Sequence, residues 1–171
     1  MASPLRKIKL FNNLKLVGLF SILLSLLLVM TGCQNNPSIK GIEAKVKRIV
    51  SAQTLEVIIE NKSYTLRLSG LEIPRNQPKI SEEGKQFLKD FFTPLNSATV
   101  IIETDLQVKD KYNRLNGYVW YLDRMVNQEL LKQGYGIANL NYTDGKHDRV
   151  LLNSQDYARI MEKGIWRIKN E

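Results

Sequence analysis

Three short runs of residues with β-strand character follow one another between residues 42 and 70, and they restrict the chain to a fold built on antiparallel strands. In the third run, Leu66 and Leu68 alternate with polar neighbours, which is the period of a strand buried on one face. The alternation predicts that Arg67 lies on the opposite face. The second and third runs are close enough to form a hairpin, with its turn at Asn61-Lys62.

Helical and strand patterns then alternate along the rest of the chain. The expected elements are a helix from Ser81 to about Pro94, strands at Ala98–Glu103 and Leu115–Leu122, a short helix after Asn127, and a last helix over Asp148–Lys163. We expect Asn127 to cap the short helix, and Gly134 and Gly164 to end the last two helices. This order fits an α+β fold, mainly β, with a five-stranded antiparallel barrel, although other α+β folds share the pattern.

Composition limits the class of protein and of chemistry. The chain has 171 residues, 43% apolar and 25% charged, which suits one domain with a core plus a tail. Its net charge is +8, and four cations but no acid lie in the first 32 residues, so the remainder still carries +4 and favours an anionic partner. The single cysteine, Cys33, excludes a disulfide framework. The single histidine, His147, excludes a mechanism with two imidazoles, and we expect it to be exposed in a loop.

The N-terminal segment has the layout of a secretory signal peptide. Residues 1–15 are basic, and residues 16–32 are uncharged and mostly apolar. Met30-Thr31-Gly32-Cys33 resembles a bacterial lipobox, in which the cysteine receives a diacylglycerol and becomes the mature N-terminus. The alternative is a retained anchor helix. The expected organisation is a lipoprotein signal peptide over residues 1–32, a polar tether over 33–41 and an exported, membrane-anchored domain of a bacterial envelope over 42–171.

Four stretches read together resemble the thermonuclease, or staphylococcal-nuclease-like, family. They are Val50–Thr54, Leu66–Pro74, Asp110–Arg114 with Gly117-Tyr118-Val119, and Val126–Gly134, and Gly164-Ile165-Trp166 also matches. The resemblance covers roughly residues 43–167. It implies an oligonucleotide/oligosaccharide-binding (OB-type) barrel with three helices, and calcium-assisted hydrolysis of DNA or RNA phosphodiesters.

The positively charged half of the family's site matches this sequence. The resemblance makes Arg67 and Arg114 the two catalytic arginines, which neutralise the charge that builds on the phosphate. The positions that match nucleotide-binding residues of the family are Asp110, Lys111, Tyr112 and Tyr142.

The acidic half of the site departs from the family's pattern. Gln53 stands at the position of the family's first calcium-binding carboxylate, and Arg75 stands at the position of the general-base glutamate. Glu72 replaces the second calcium-binding aspartate, so its side chain is one methylene longer. Calcium affinity follows the charge of the oxygen ligands, so Gln53 and Glu72 would form only a weak Ca²⁺ site. A guanidinium stays protonated and cannot act as a base, and loss of general-base catalysis costs about 10²–10⁴ in rate.

Three functions stay open on the sequence alone. The first is a membrane-tethered monomer that binds nucleic acid or nucleotide phosphate with cleavage weakened or lost, its site formed by Arg67, Arg75 and Arg114 beside Glu72 and Gln53. The second is an active calcium-dependent nuclease that uses Glu72. The third is a structural or protein-binding barrel of the envelope. The missing acids favour the first function over the second.

Overall fold

The fold is seen in a computed structural model that describes residues 39–95, 98–141 and 143–167. The strands are β1 (Ile42–Ser51), β2 (Thr54–Ile59), β3 (Lys62–Leu68), β4 (Leu71–Glu72), β5 (Thr99–Lys109), β6 (Leu115–Tyr121), β7 (Arg124–Met125) and β8 (Ile137–Ala138). The helices are α1 (Pro78–Phe91), α2 (Val126–Lys132) and α3 (Asp148–Ile160), followed by a 3₁₀ turn at Gly164–Trp166. None of the helices within these ranges has the length and apolar character that crossing a membrane requires. The expected signal peptide, Cys33 and Tyr142 lie outside the described residues.

The long strands close into a five-stranded barrel. Neighbours follow the order β3-β2-β1-β5-β6 with antiparallel pairing, and β3 also pairs with β6. This closing pair is parallel, with Leu66 opposite Leu115 and Leu68 opposite Gly117. The predicted OB-type barrel with three helices is confirmed for the described part of the chain. The expectation of antiparallel pairing all round is wrong at this β3–β6 pair, which we call the closing seam.

Alternation along β3 separates the core from the outer surface of the barrel. Leu66 and Leu68 are fully buried, whereas Arg67 between them is only partly buried, as the sequence pattern predicts. Tyr118 of β6 and Leu88 of α1 are also fully buried in the same core. The buried leucines therefore fix the direction in which the Arg67 guanidinium leaves the barrel.

Asn127 does not cap α2, contrary to the prediction. It lies inside the helix with no exposed surface, and its amide bonds to the barrel. Nδ2 donates to the carbonyl oxygens of Ser69 (2.8 Å) and Gly117 (3.2 Å), and Oδ1 accepts from the N–H of Val119 (2.9 Å). Because Ser69 follows β3 while Gly117 and Val119 belong to β6, one amide ties together the two strands of the closing seam.

Two strand boundaries differ from the prediction. The β2–β3 turn consists of Glu60 and Asn61, one residue earlier than expected, and both residues have left-handed backbones with φ of 47° and 64°. Strand β5 continues from Glu103 to Lys109, because pairing with β6 resumes at Lys109 opposite Leu115. The polar composition of that segment hides its strand character.

The backbone properties of proline and glycine explain the helix boundaries better than the pattern of side chains does. Helix α1 begins at Pro78, not Ser81, because the fixed φ and missing N–H of proline suit the first helical position. Gly134 ends α2 in the left-handed region, as predicted, with φ of 73°. Helix α3 already ends at Ile160, and Gly164 instead lies directly against the Gly134 backbone, where a Cβ would clash with the carbonyl oxygen.

Candidate functional site

A polar cavity of about 260 Å³ opens where β3 ends. We call it the arginine cavity. Its lining residues are Arg67, Ser69, Gly70, Leu71, Asp105, Asp110, Asn116, Asn139, Asn141 and Thr143. The side chains offer mainly hydrogen-bonding groups, among them one guanidinium and the carboxyl groups of Asp105 and Asp110, which suits a small polar ligand.

Arg67 reaches this cavity from the outer face of β3. Burial lowers the pKa of Arg67, and the neighbouring Arg114 guanidinium lowers it further, while Glu72 and Asp110 act in the opposite direction. The guanidinium stays charged, because an arginine keeps its proton at any working pH. Two like charges held close together favour an anion that bridges them, so this pair can bind a phosphate group.

Asp110 organises the turn over residues 110–114 that carries Arg114. Its Oδ1 accepts from the backbone N–H groups of Tyr112 (2.9 Å) and Arg114 (3.0 Å), as in an Asx turn. Its Oδ2 accepts from Nε of Arg114 at 2.7 Å and pairs with Nη2 at 2.6 Å. Burial acts to raise the pKa of Asp110, but the hydrogen bonds from Arg114 and Tyr112 outweigh it and lower that pKa. The carboxylate therefore holds the Arg114 guanidinium in place.

Tyr112 projects from the same turn and is 67% exposed. The Arg114 guanidinium carbon lies 5.2 Å from its ring centroid, and Nζ of Lys111 lies 5.1 Å from it. These are cation–π distances, so the Tyr112 ring attracts the cations of both Lys111 and Arg114. The turn thus presents an exposed aromatic ring together with cations, although Lys111 and Tyr112 do not line the arginine cavity.

Gln53 lies in the turn between β1 and β2 and is bonded to the backbone around β4. Its Nε2 donates to the carbonyl oxygen of Leu71, and at 3.5 Å to that of Leu68. The backbone carbonyl oxygen of Gln53 accepts from the Leu68 N–H at 2.9 Å. The amide therefore cross-links two turns of the barrel through its donor group.

This donor set does not fit a calcium ion. Calcium takes about six to eight oxygen ligands, among which carboxylates set the affinity. The NH₂ group of Gln53, rather than an oxygen, faces the backbone carbonyls, and Oε2 of Glu72 accepts a 2.9 Å hydrogen bond from Asn139. In the described part of the chain, no three His, Cys, Asp or Glu side chains come together as a metal site.

The predicted arginines of the site lie in different surroundings. Arg67 has Arg114, Glu72 and Asp110 as electrostatic neighbours. Arg75 is exposed in the loop between β4 and α1 and does not line the arginine cavity. Of these three arginines, Arg67 lines the cavity, Arg114 is its electrostatic neighbour, and Arg75 does not line the cavity.

Several cavity residues escaped the sequence analysis. Asn139, Asn141 and Thr143 belong to a segment that the sequence shows only as a polar loop. Asn116 lies between Leu115 and Gly117 in a predicted strand, whereas Asp105 lies in a polar stretch, and neither carries a motif of its own. The one available signal is the strand alternation at Asn116, which places its side chain opposite the buried Leu115 and Gly117.

His147 is buried, so the expectation that it is exposed is wrong. It is 9% exposed, with Nε2 3.0 Å from a carboxylate oxygen of Glu103 and its ring centroid 4.5 Å from that of Tyr118. Burial lowers the pKa of His147, and Lys146 lowers it further. The imidazole fastens the loop over residues 139–147 to β5 and β6, and this loop supplies part of the cavity wall.

An OB-type barrel with an arginine at a polar cavity is typical of barrels that bind oligonucleotides or oligosaccharides, and comparison with known proteins identifies the family. The profile described as Staphylococcal nuclease homologue matches residues 65–168. The chain belongs to the staphylococcal nuclease family.

Its relatives include enzymes and uncharacterised proteins. The chain is 30% identical over 128 residues to the thermonuclease of Staphylococcus hyicus, which covers 71% of this chain and 74% of that protein. It is 27% identical over 137 residues to the thermonuclease of Staphylococcus intermedius, covering 78% and 81% respectively. It is also 26% identical over 153 residues to an uncharacterised endonuclease of Haemophilus influenzae, covering 89% and 79%.

Proposed function

We propose that the chain is an exported, membrane-tethered nuclease-like domain that binds nucleic acid through phosphate and in which phosphodiester cleavage is weakened or lost. One observation carries the proposal. Arg67 lines a polar cavity and has Arg114 as an electrostatic neighbour, while the amide of Gln53, at the family's first metal-carboxylate position, donates to backbone carbonyls. The positive charge that binds phosphate is present, and the charged ligands that bind a metal are reduced to Glu72.

Phosphate binding would use the two guanidiniums differently. Arg67 is partly buried and offers its donors from the cavity wall, so water screens its charge less than that of a surface cation. Arg114 is already oriented by Asp110, so little side-chain freedom is lost when it binds an anion. The exposed ring of Tyr112 provides a face on which a base can stack.

Weakened cleavage follows from the proton and charge balance of the same site. Arg75 cannot take a proton from water, and general-base catalysis contributes about 10²–10⁴ in rate. The remaining carboxylate, Glu72, is hydrogen-bonded to Asn139. Arg67 and Arg114 would still stabilise the negative charge that develops on the phosphate in the transition state. The site would therefore bind a phosphodiester well and cleave it slowly.

The membrane tether is supported by the sequence alone. The uncharged run over residues 16–32 ends at Met30-Thr31-Gly32-Cys33, the pattern of a lipidated cysteine. A diacylated Cys33 would hold the domain at a membrane of the cell envelope, outside the cytoplasm.

Binding is tested by titrating a labelled single-stranded oligonucleotide with the parent and with matched charge variants in EDTA. Arg67→Ala is expected to weaken binding about tenfold or more, and to lower the slope of log affinity against log salt concentration by about one. Lys62→Ala removes the same charge at the opposite end of β3 and serves as the control. Equal affinities for these two variants would contradict the assignment of the cavity.

Cleavage is tested by following hydrolysis of the same oligonucleotide with calcium and with EDTA. The proposal expects slow or no hydrolysis in both. Rapid hydrolysis that EDTA abolishes would establish the second candidate, an active calcium-dependent nuclease. Arg67, Arg114 and Glu72 at the family's positions and the thermonuclease relatives favour this candidate.

A further inference from the structure

The last turn of α3 exposes large apolar side chains beside a tyrosine. Tyr157 is 39% exposed, Ile160 79% and Met161 52%. Val150 is 37% exposed and lies two helical turns before Tyr157, so it shares a side of the helix with Tyr157 and Met161. Contiguous exposed apolar surface marks a place where another molecule binds. We call the surface formed by Val150, Tyr157, Ile160 and Met161 the α3 patch.

Two lysines flank the tyrosine of the α3 patch. Nζ of Lys163 lies 5.0 Å from the Tyr157 ring centroid, and Nζ of Lys132, the last residue of α2, lies 5.5 Å from it. Neither ammonium group forms an ion pair with a carboxylate of the residues that the structure describes. Both lysines are partly buried, as expected when an aliphatic stem packs on a ring and the charged head points to solvent. The patch therefore joins apolar contact area to positive charge that the described chain does not neutralise.

The charges around the α3 patch favour an anionic partner. Arg149 and Arg159 are exposed on the same helix, and the exposed acids between residues 148 and 163 are Asp156 and Glu162. Asp156 lies 3.9 Å from Arg159, so one acid is already offset by a cation of the helix. With the two lysines the cations outnumber the acids. Exposed aliphatic and tyrosine side chains bordered by lysine and arginine are typical of helices that bind at the interface of an anionic membrane.

Two other occupants fit the α3 patch less well. A two-fold contact with a second copy of the chain would place equal positive charges opposite each other. A nucleic-acid backbone would bind the lysines, but its phosphates and sugars offer no apolar layer for Ile160 and Met161. A bilayer supplies both, because anionic headgroups lie directly above acyl chains.

The α3 patch and the arginine cavity lie on different sides of α3. Leu152 lines a groove that shares Asn139 and Asn141 with the cavity. The Met161 N–H donates to the Tyr157 carbonyl oxygen at 3.0 Å, so helical geometry continues to Met161. About two and a half turns separate Leu152 from Met161, so their side chains leave the helix on opposite sides. A surface that covers Met161 therefore leaves the cavity open.

We propose that the α3 patch contacts the anionic surface of the bilayer that carries the lipid of Cys33. Ile160 and Met161 enter the headgroup layer, and Lys132 and Lys163 bind lipid phosphates. The contact orients the domain so that the arginine cavity is open to nucleic acid.

This inference rests on the membrane tether of the proposed function. Residues 33–41 separate the lipidated position from β1 and span at most about 30 Å when fully extended. A tether of this length holds the domain at a high local concentration of lipid, so that even a weak surface contact is populated.

A polarity-sensitive thiol dye on Ile160→Cys tests the contact in the full lipidated chain, reconstituted in vesicles. Cys33 is the single cysteine, and in the proposed tether its sulfur carries the lipid, so one dye per chain is expected. Dye fluorescence should rise on vesicles that mix phosphatidylglycerol with phosphatidylcholine, compared with phosphatidylcholine alone. Leu152→Cys, labelled in the same way on the opposite side of α3, is the control and should not respond.

Lys132→Gln/Lys163→Gln, combined with the same dye, tests the contribution of charge. Each cation near an anionic bilayer favours contact about fivefold, so the double variant should lower the ratio of docked to undocked chains about 25-fold. Lys62→Gln/Lys89→Gln removes the same charge from exposed positions of β3 and α1 and should behave as the parent. Equal responses of these two double variants would contradict the role of the lysines.

The outcomes separate this inference from the function on which it rests. Two dyes per chain would show that Cys33 carries no lipid, and both the tether and the docking would be wrong. One dye per chain with equal fluorescence on both kinds of vesicle leaves the tether standing and overturns the docking. A rise caused by a single-stranded oligonucleotide on phosphatidylcholine vesicles would assign the α3 patch to nucleic acid and would also overturn the docking.

Discussion

The side chain of Asn127 links the two strands of the closing seam. Its amide makes three hydrogen bonds to the closing seam from a position with no exposure to solvent. An asparagine beside the start of a helix is typical of an N-cap, so local sequence predicts the wrong partner. The bonds to the barrel reach peptide groups up to 58 residues away in the chain, which no local pattern can reveal.

Asn127→Ala is expected to lower the free energy of unfolding by about 3 kcal/mol or more. The substitution leaves the Val119 N–H and the Ser69 carbonyl without this partner at a buried site, and each such group costs about 1–3 kcal/mol. Urea denaturation followed by circular dichroism measures the change. Asn153→Ala, at an exposed position of α3, is the control, and equal stabilities for the two variants would contradict the role of the amide.

Gln53 and Arg75 decide whether the site can use a metal and a base. The double variant Gln53→Asp/Arg75→Glu supplies a charged oxygen ligand and a proton acceptor, and Glu72→Asp can be added as a third change. Calcium-dependent hydrolysis of single-stranded DNA is expected to rise about 10²-fold or more over the parent, from the base contribution alone. Phosphate binding without metal is expected not to improve.

The matched control for this restoration is Gln53→Asn/Arg75→Gln, which changes size and removes the cation at Arg75 without adding an acid. It should cleave no faster than the parent. A parent that already cleaves rapidly with calcium, and a double variant no faster, would show that Gln53 and Arg75 do not limit the reaction.

The stability of the turn over residues 110–114 depends on the charge of Asp110. Because the pKa of Asp110 is lowered in the folded chain, its ionised form favours folding. That contribution is fully present above the ordinary aspartate value of 3.8 and is lost as the pH falls through the lowered folded value. Acid therefore releases Arg114 from its ion pair only when the pH has fallen through that lowered value.

Asp110→Asn tests this requirement, since the amide oxygen can still accept from the backbone while the ion pair is lost. The parent is expected to be more stable by about 1–2 kcal/mol near neutral pH. This advantage should shrink as the pH falls below 3.8. Urea midpoints of both chains across that range measure it, and a pH-independent difference would contradict the role of the ion pair.

At the scale of elements, the sequence predicts strands better than it predicts the site. The alternation around Arg67 and the glycine at position 134 each carry a local physical signal, and both agree with the structure. The start of α1 was missed because Ser81 resembles a cap while Pro78 occupies the first turn. Asn139 and Asn141 could not be predicted, because their position at the cavity depends on how His147 fastens a loop against distant strands.

At the scale of the whole molecule, charge and attachment determine where the domain would act. A domain that binds nucleic acid and is held by a lipid at Cys33 would concentrate that ligand at a membrane surface. Cys33→Ser is expected to block lipidation and to release the domain from the membrane fraction or leave it unprocessed. Fractionation and intact-mass measurement check this, and an unchanged mass and distribution would contradict the lipoprotein assignment.

The parallel closing seam also has a consequence for the order of folding. The β1–β2 and β2–β3 hairpins close over short stretches of chain, whereas β3 and β6 meet only after the segment between them, including α1 and β5, has been drawn together. Long loops form more slowly than short ones because closing them costs more chain entropy. The seam, with the Asn127 amide across it, should therefore assemble after the rate-limiting barrier. In stopped-flow experiments Asn127→Ala should accelerate unfolding and leave the refolding rate nearly unchanged.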